Sequence, residues 1–215
     1  MLGRDAVEQR EDRAERGETY AGQSRQERTA DRRSRITEAA VELFAARSYD
    51  DVTVADVCAT AKVAKRYFYE HFADRADLLI TVHRELNDWL LAEVSAVAPK
   101  RPGDLEQLLR PMMQALVTTL FEHPTRARVI YINAPRMELR RRGLLREDAE
   151  LIGRLARRVA GRQRDRLRFE RVLLALVAGV SEVVIDWLQR GMTDSPEVLA
   201  NHLSELACSL LTTLM

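Results

Sequence analysis

Cysteine is nearly absent: Cys58 and Cys208 stand far apart in a chain of 215 residues. Two distant thiols make no disulfide framework and no CxxC metal or redox site, and they fit a reducing compartment. Glycine (9) and proline (6) are scarce and aromatics amount to 6%, which sets aside collagen-like, low-complexity and turn-dense β architectures. No charge sign dominates, with 34 basic against 33 acidic side chains. Net charge therefore says nothing about a nucleic-acid or membrane partner; only local distribution can. The longest uncharged apolar stretch, 172–181, is about half of what crosses a bilayer. The first residues alternate in charge (Arg4, Asp5, Glu8, Arg10, Glu11, Asp12) without the apolar segment of a signal peptide. The expectation is a soluble, cytoplasmic chain with no membrane partner.

Catalytic signatures are missing as well. GxSxG, GxxxxGK[ST] and GxGxxG do not occur, and His71, His83, His123 and His202 show no HExxH or other ligand spacing. Neither an enzyme, a metal site nor a cofactor is expected. What the chain does hold is 46% apolar and 31% charged residues, enough for a real core.

That apolar content falls at helical period almost throughout. Residues 1–30 read as a disordered tail, since mixed charge without core residues cannot offset the entropy of ordering. The stretch from Arg25 to Arg35 that leads into the first helix is basic, with Arg25, Arg28, Arg32, Arg33 and Arg35 against Glu27 and Asp31. A helix is predicted from about Arg32 to Arg47, burying Ile36, Ala39, Ala40, Leu43 and Phe44. Thr53 reads as an N-cap with Asp56 as its acidic partner three residues on. Two short helices follow, 54–60 and 64–72, separated by three residues. Asp74 caps a longer helix carrying Leu79, Val82, Leu86, Trp89, Leu90 and Val94. Beyond the linker 99–103 the pattern predicts a helix over 105–121 with Pro111 inside it, then helices over 124–133, 136–161 (broken near Gly143), 167–190 and from Pro196 onward. The sum is an all-α chain of about nine helices without a sheet.

Residues 53–75 carry the most information. Two helices too short to stand alone, joined by a tight turn, form a helix-turn-helix candidate. Phe68 and Phe72 face the core, leaving Lys62, Ala64, Lys65, Arg66, Tyr67, Tyr69 and His71 on the other side. Lysine and arginine reach guanine edges in the major groove, and tyrosine, threonine and histidine bond phosphates. The bland alternative is a solvated cationic turn.

The stretch TVADVCATAKVAKRYFYEHF, residues 53–72, followed by ADRADLL, resembles the DNA-binding domain of the TetR/AcrR family of transcriptional regulators. ITEAAVELF, residues 36–44, is similar to that family's first helix. The resemblance covers about residues 30–80; beyond it only the helical architecture matches. It implies a DNA-binding domain over 31–78, a ligand-binding and dimerisation domain over 79–215, and a DNA surface made of Thr53, Lys62, Ala64, Lys65, Arg66, Tyr67, Tyr69, His71 and Arg75. Lys65 and Arg66 would read bases; Thr53, Tyr67, Tyr69, His71 and Arg75 would hold phosphates. Departures are Lys62, where the family usually has glycine, Ala64 in place of a common serine, and Arg66-Tyr67 in place of glycine and threonine.

One short recognition helix covers little DNA, so such readers pair. Leu173, Leu176, Val180, Val183 and Trp187 form one heptad-like seam, and Leu199, Leu203, Leu206, Leu210 and Leu214 another. The two suit a four-helix dimer interface; the alternative is that both face the chain's own core. The resemblance further implies a small-molecule pocket, with Trp89, Met113, His123, Tyr131, Asn133, Met137 and Trp187 as candidates, each of which also reads as ordinary core. Thirteen arginines against six acids between Arg136 and Arg171 read as a solvated face, or as the mouth for an anionic effector. The function expected is a ligand-responsive homodimeric repressor on a palindromic operator in double-stranded DNA. The rival is a helical dimer binding a small molecule or protein without DNA recognition.

Overall fold

The computed structural model describes residues 25–133, 138–161 and 165–214. Among them are nine α-helices and no strand: α1 Arg25–Ala46, α2 Val54–Thr60, α3 Lys65–Tyr69, α4 Arg75–Ala96, α5 Leu105–Glu122, α6 Pro124–Arg128, α7 Glu138–Ala160, α8 Arg166–Gln189 and α9 Pro196–Thr212. The all-α expectation holds.

The first helix starts at Arg25, not at about Arg32, so 25–30 is helix rather than tail; 1–24 lies outside the described residues. This turn buries no large apolar residue, which is why periodicity missed it. Good helix formers such as Gln26, Glu27, Arg28 and Ala30 extend α1 instead, and Arg32 donates to Thr29 Oγ1 at 3.1 Å one turn back. Ile36, Ala40 and Phe44 on its inner face are fully buried.

Four caps set the helix starts. Thr53, Asp74, Asp104 and Asp165 each accept from the backbone N–H three residues on, which satisfies donors the helix cannot. Ser195 does the same for α9, with Pro196 at the first position. Helix α8 closes on two left-handed residues, Gly191 (φ +78°) and Met192 (φ +57°), whose amides bond Leu188 and Trp187 carbonyls. Gly143 does not interrupt α7. The segment expected as one helix over 124–133 is instead α6 followed by a π-helical turn, Val129–Asn133.

Helices α1–α3 and the start of α4 form a head, and α4–α9 form a body. In the body α5 lies along α9 and α7 along α8. At the α7–α8 crossing, a Cβ on Gly153 would stand 2.6 Å from Leu173 Cδ1, so the absence of a side chain there leaves room for the Leu173 side chain against α7. Helix α8 meets the length and hydropathy of a membrane span, though only 33% of its apolar window is buried. Counting uncharged runs missed this because Glu182 and Asp186 interrupt it. Phe169, Leu173, Leu176, Val180, Val184 and Trp187 along it sit in the body's core.

Most of the two leucine-rich seams are therefore core. Leu173, Leu176, Val180, Trp187, Leu199 and Leu203 are buried within the chain, while Val183 and Leu206 are exposed and Leu210 is half-buried. The inward reading of the seams accounts for the first six, because α5 and α7 already cover that face.

Lys62, in the turn between α2 and α3, has φ +54°. A side chain there is strained by about 1–2 kcal/mol relative to glycine, partly offset by glycine's freedom in the unfolded chain. Lys62→Gly is expected to raise unfolding free energy by about 0.5–1 kcal/mol in urea titration; a loss of stability would show that the turn does not hold that conformation.

Candidate functional site

Helix α3 has only five residues, and its orientation comes from one anchor. Phe68 is fully buried, and Phe72, reached by a turn off the helix end, is 5.7 Å from it between ring centroids. With Phe68 held inward, Lys65, Arg66 and Tyr69 stand outward; all three are exposed, Tyr69 at 59%. Lys62 and Ala64 are exposed beside them. Ala64 takes the N-cap position of α3 without a side chain that can cap it.

The remaining predicted contacts divide. Thr53 closes a capping box with Asp56: its Oγ1 accepts from Asp56 N at 3.2 Å, its own backbone N–H donates to Asp56 Oδ2 at 2.8 Å, and its hydroxyl adds a 2.7 Å bond to the same oxygen. The bonds from Thr53, helped by Arg47, hold the Asp56 carboxyl below its ordinary pKa. His71 is half-buried, and its Nε2 is covered without a partner. Tyr67 is half-buried, with guanidiniums of Arg66 and Arg32 both against its ring. Arg75 turns inward: its Nη1 donates to the Val52 carbonyl and to Asp50 O at 3.3 Å, and its guanidinium stacks on Tyr49 at 4.1 Å. In this state it ties α4 to the turn before α2 rather than offering itself to solvent.

Of the seven pocket candidates, the five whose side chains are described do not converge on one cavity. Met113 is core. Trp187 is buried, and its Nε1 donates to Asp194 O at 3.1 Å, stapling α8 to the turn before α9. Trp89 packs edge-on to exposed His123 at 5.1 Å and under Arg126 at 4.4 Å, a surface cluster. Tyr131 lies in the π turn, where burial, with the Asp148 charge adding, pushes its phenol above the ordinary range. Asn133 ends that turn, and Met137 lies outside the described residues.

The structure shows instead a groove of about 330 Å³ between α4 and α7, lined by Asn87, Asp88, Leu91, Ala92, Ser95, Glu147, Asp148, Leu151 and Arg154. None of these was expected. The available signal was Asn87, a polar residue inside the apolar run of α4; it is 8% exposed and donates to Asp148 Oδ1 at 3.0 Å. Asp148 itself sat unmarked among the charges of α7. Nearby, His83 Nε2 meets the Ile130 carbonyl at 3.1 Å, and burial holds its imidazole below the ordinary pKa.

An all-helical body carrying a head with a tight two-helix turn and an outward cationic, phenolic face defines a class: helix-turn-helix regulators. Comparison with known proteins agrees. The profile "Bacterial regulatory proteins, tetR family" matches residues 36–82. The HTH-type transcriptional regulator TcmR of Streptomyces glaucescens is 28% identical over 181 residues, 79% of each chain. Among solved structures, the fatty acid degradation regulator FadR from Bacillus halodurans superposes with a TM-score of 0.71 at 18% identity, covering 87% of this chain and 97% of that one. FadR from Bacillus subtilis, solved in complex with stearoyl-CoA, gives 0.64 at 19%, covering 82% and 97%. Residues 36–82 are thus similar to the DNA-binding domain of the TetR family, and the whole chain shares the fold of the solved structures.

Burial, with the Glu147 and Asp88 charges adding and the Asn87 bond opposing, pushes the Asp148 carboxyl up to about 6. The folded state then keeps a proton that the unfolded chain releases near pH 4, so stability falls as pH rises from about 4 to 6. Asp148→Asn is expected to be more stable than wild type at pH 7, on the order of 2–3 kcal/mol, and to lose that advantage by pH 4. Parallel urea midpoints for the two chains across this range would contradict the burial of the charge.

Proposed function

We propose that the chain acts as a homodimeric repressor that binds a palindromic operator in double-stranded DNA and is released by a small-molecule effector. One observation carries this reading: Lys65, Arg66 and Tyr69 stand outward together on α3. Lys65 and Arg66 are assigned to base edges. Thr53, Lys62, Tyr67, Tyr69 and His71 are assigned to the backbone, with the Ala64 methyl at the helix start as an apolar contact. Arg75 would join them only by leaving the Val52 carbonyl.

Pairing rests on the outer faces of α8 and α9. Val183 and Leu206 are exposed, as are Leu167 and Val198 on the same helices. Two recognition helices then meet half-sites about 34 Å apart.

The groove between α4 and α7 is the effector site of this reading. Asp88, Glu147 and Asp148 face a single guanidinium, Arg154, which suits a neutral or cationic molecule better than an anion. The arginine excess of 136–171 is partly structural: Arg158 donates to Pro99 O at 3.3 Å, Arg168 to Thr213 O at 2.7 Å, and Arg157 stacks on Phe169. Helix α4 joins groove to head, since Asn87 stands about 18 Å along it from Arg75. A coupling of about 1–3 kcal/mol between effector and DNA would suffice for release.

Arg66→Ala and Tyr69→Phe are each expected to weaken binding to genomic duplexes captured by the wild-type protein, Arg66→Ala by about tenfold or more, while sedimentation still shows a dimer. Val183→Asp combined with Leu206→Asp should split the dimer and lower duplex affinity with it. Unchanged gel-shift affinity in both head variants would refute the assignment of α3.

A further inference from the structure

The α1 arginines have different partners. Arg33 pairs with Glu85 on α4, and Arg35 with Asp31. Arg32 reaches the other way, across to α3: its guanidinium carbon lies 4.4 Å from the centre of the Tyr67 ring, and its Nη2 donates to Thr29 Oγ1 at 3.1 Å. Arg66 lies against the same ring at 4.6 Å, and its Nη2 donates to the Tyr67 hydroxyl at 2.6 Å. Two guanidiniums thus share one phenol. Among the described residues neither is in ion-pair distance of a carboxylate, and the Nε of Arg32 is covered without an acceptor. Like charges gathered this closely, with no counter-charge among the described residues, form a surface whose natural complement is an anion.

We propose that Tyr67 is a positioning residue that fixes Arg66 for its base contact and holds Arg32 beside it for the flanking phosphate, which brings the α1 face around Arg32 into the DNA footprint. The proposal rests on the DNA-binding reading above. The physical reason is preorganisation. A free arginine side chain loses rotamer entropy on binding, whereas one already stacked on an aromatic face, with its fork tied to a hydroxyl, has lost part of it in advance. The small threonine usual at this position in the family has no ring on which to stack either cation. The basic side of α1 and the exposed side of α3 therefore act as one surface.

The test uses full-length dimer and two duplexes of equal length: one selected by the wild-type protein from a random-sequence library, and one scrambled. Affinities are measured by fluorescence anisotropy from 50 to 300 mM salt. Arg32→Ala is expected to weaken both duplexes by the same factor, about tenfold, and to lower the slope of log affinity on log salt by about 0.9, one phosphate. Arg66→Ala should weaken the selected duplex far more than the scrambled one. Tyr67→Leu should do both, and adding Arg32→Ala to it should cost nothing further, whereas on a Tyr67→Phe background, which keeps the ring, Arg32→Ala should retain its effect. An unchanged salt slope in Arg32→Ala overturns the assignment of α1, and that variant decides the point even if Tyr67→Leu fails to fold. Independent, multiplying effects of Arg32→Ala and Tyr67→Leu overturn the positioning role. Absence of salt-dependent binding by the wild type to either duplex defeats the DNA reading itself, a result distinct from the other two.

Discussion

The burial of Phe68 is the constraint on which the rest of the head depends. A five-residue helix cannot hold itself together, and α3 is no longer than that. Its geometry is borrowed from the aromatic ring driven into the core formed by α1, α2 and the start of α4. Burying such a ring contributes about 1.5–3 kcal/mol, enough to fix one helix face inward. The outward placement of Lys65, Arg66 and Tyr69 then follows from helical period alone. The chemistry of the exposed side is free to vary while the buried side is not, and here the exposed side has varied, with Arg66 and Tyr67 where the family usually has smaller residues.

Helix α4 carries the second constraint. Its first residue, Arg75, grips the turn before α2, and its second half lines the groove shared with α7. Between them His83 touches the π turn through the Ile130 carbonyl. Just before that turn, Arg128 Nε donates to Ala45 O at 3.3 Å at the end of α1. Head and body are therefore joined by a continuous helix and by polar contacts on either side of it, and a shift of α4 cannot leave the head where it was.

Much of this was legible in the sequence. Helices that bury a stripe announced themselves by period, and caps such as Thr53, Asp74 and Ser195 marked their starts. Lys62 stood out as a side chain where the turn favours glycine, and its φ of +54° agrees. The start of α1 was not legible because polar residues stabilise it without burial. The π turn after α6 was not legible because its side chains keep a helical pattern while its hydrogen bonds widen. The leucine seams were misplaced because period reports that a face is covered, not which chain covers it. The groove was missed because its polar lining is drawn from two helices distant in sequence, and only the Asn87–Asp148 bond reveals that they meet. The predicted pocket residues were chosen for polar tips on apolar helices, and in Trp187 and Tyr131 those tips serve internal packing.

The inward turn of Arg75 has a mechanical consequence. A side chain that clasps the carbonyls of Asp50 and Val52 while lying on the Tyr49 ring acts as a rivet between the rod and the loop ahead of the reading helices. With that rivet in place the head swings as a lever about the rod's end instead of flexing at its joints. Displacement at the far end of α4 is then passed to α2 and α3 as rotation of a rigid piece, with their outward face carried along undistorted.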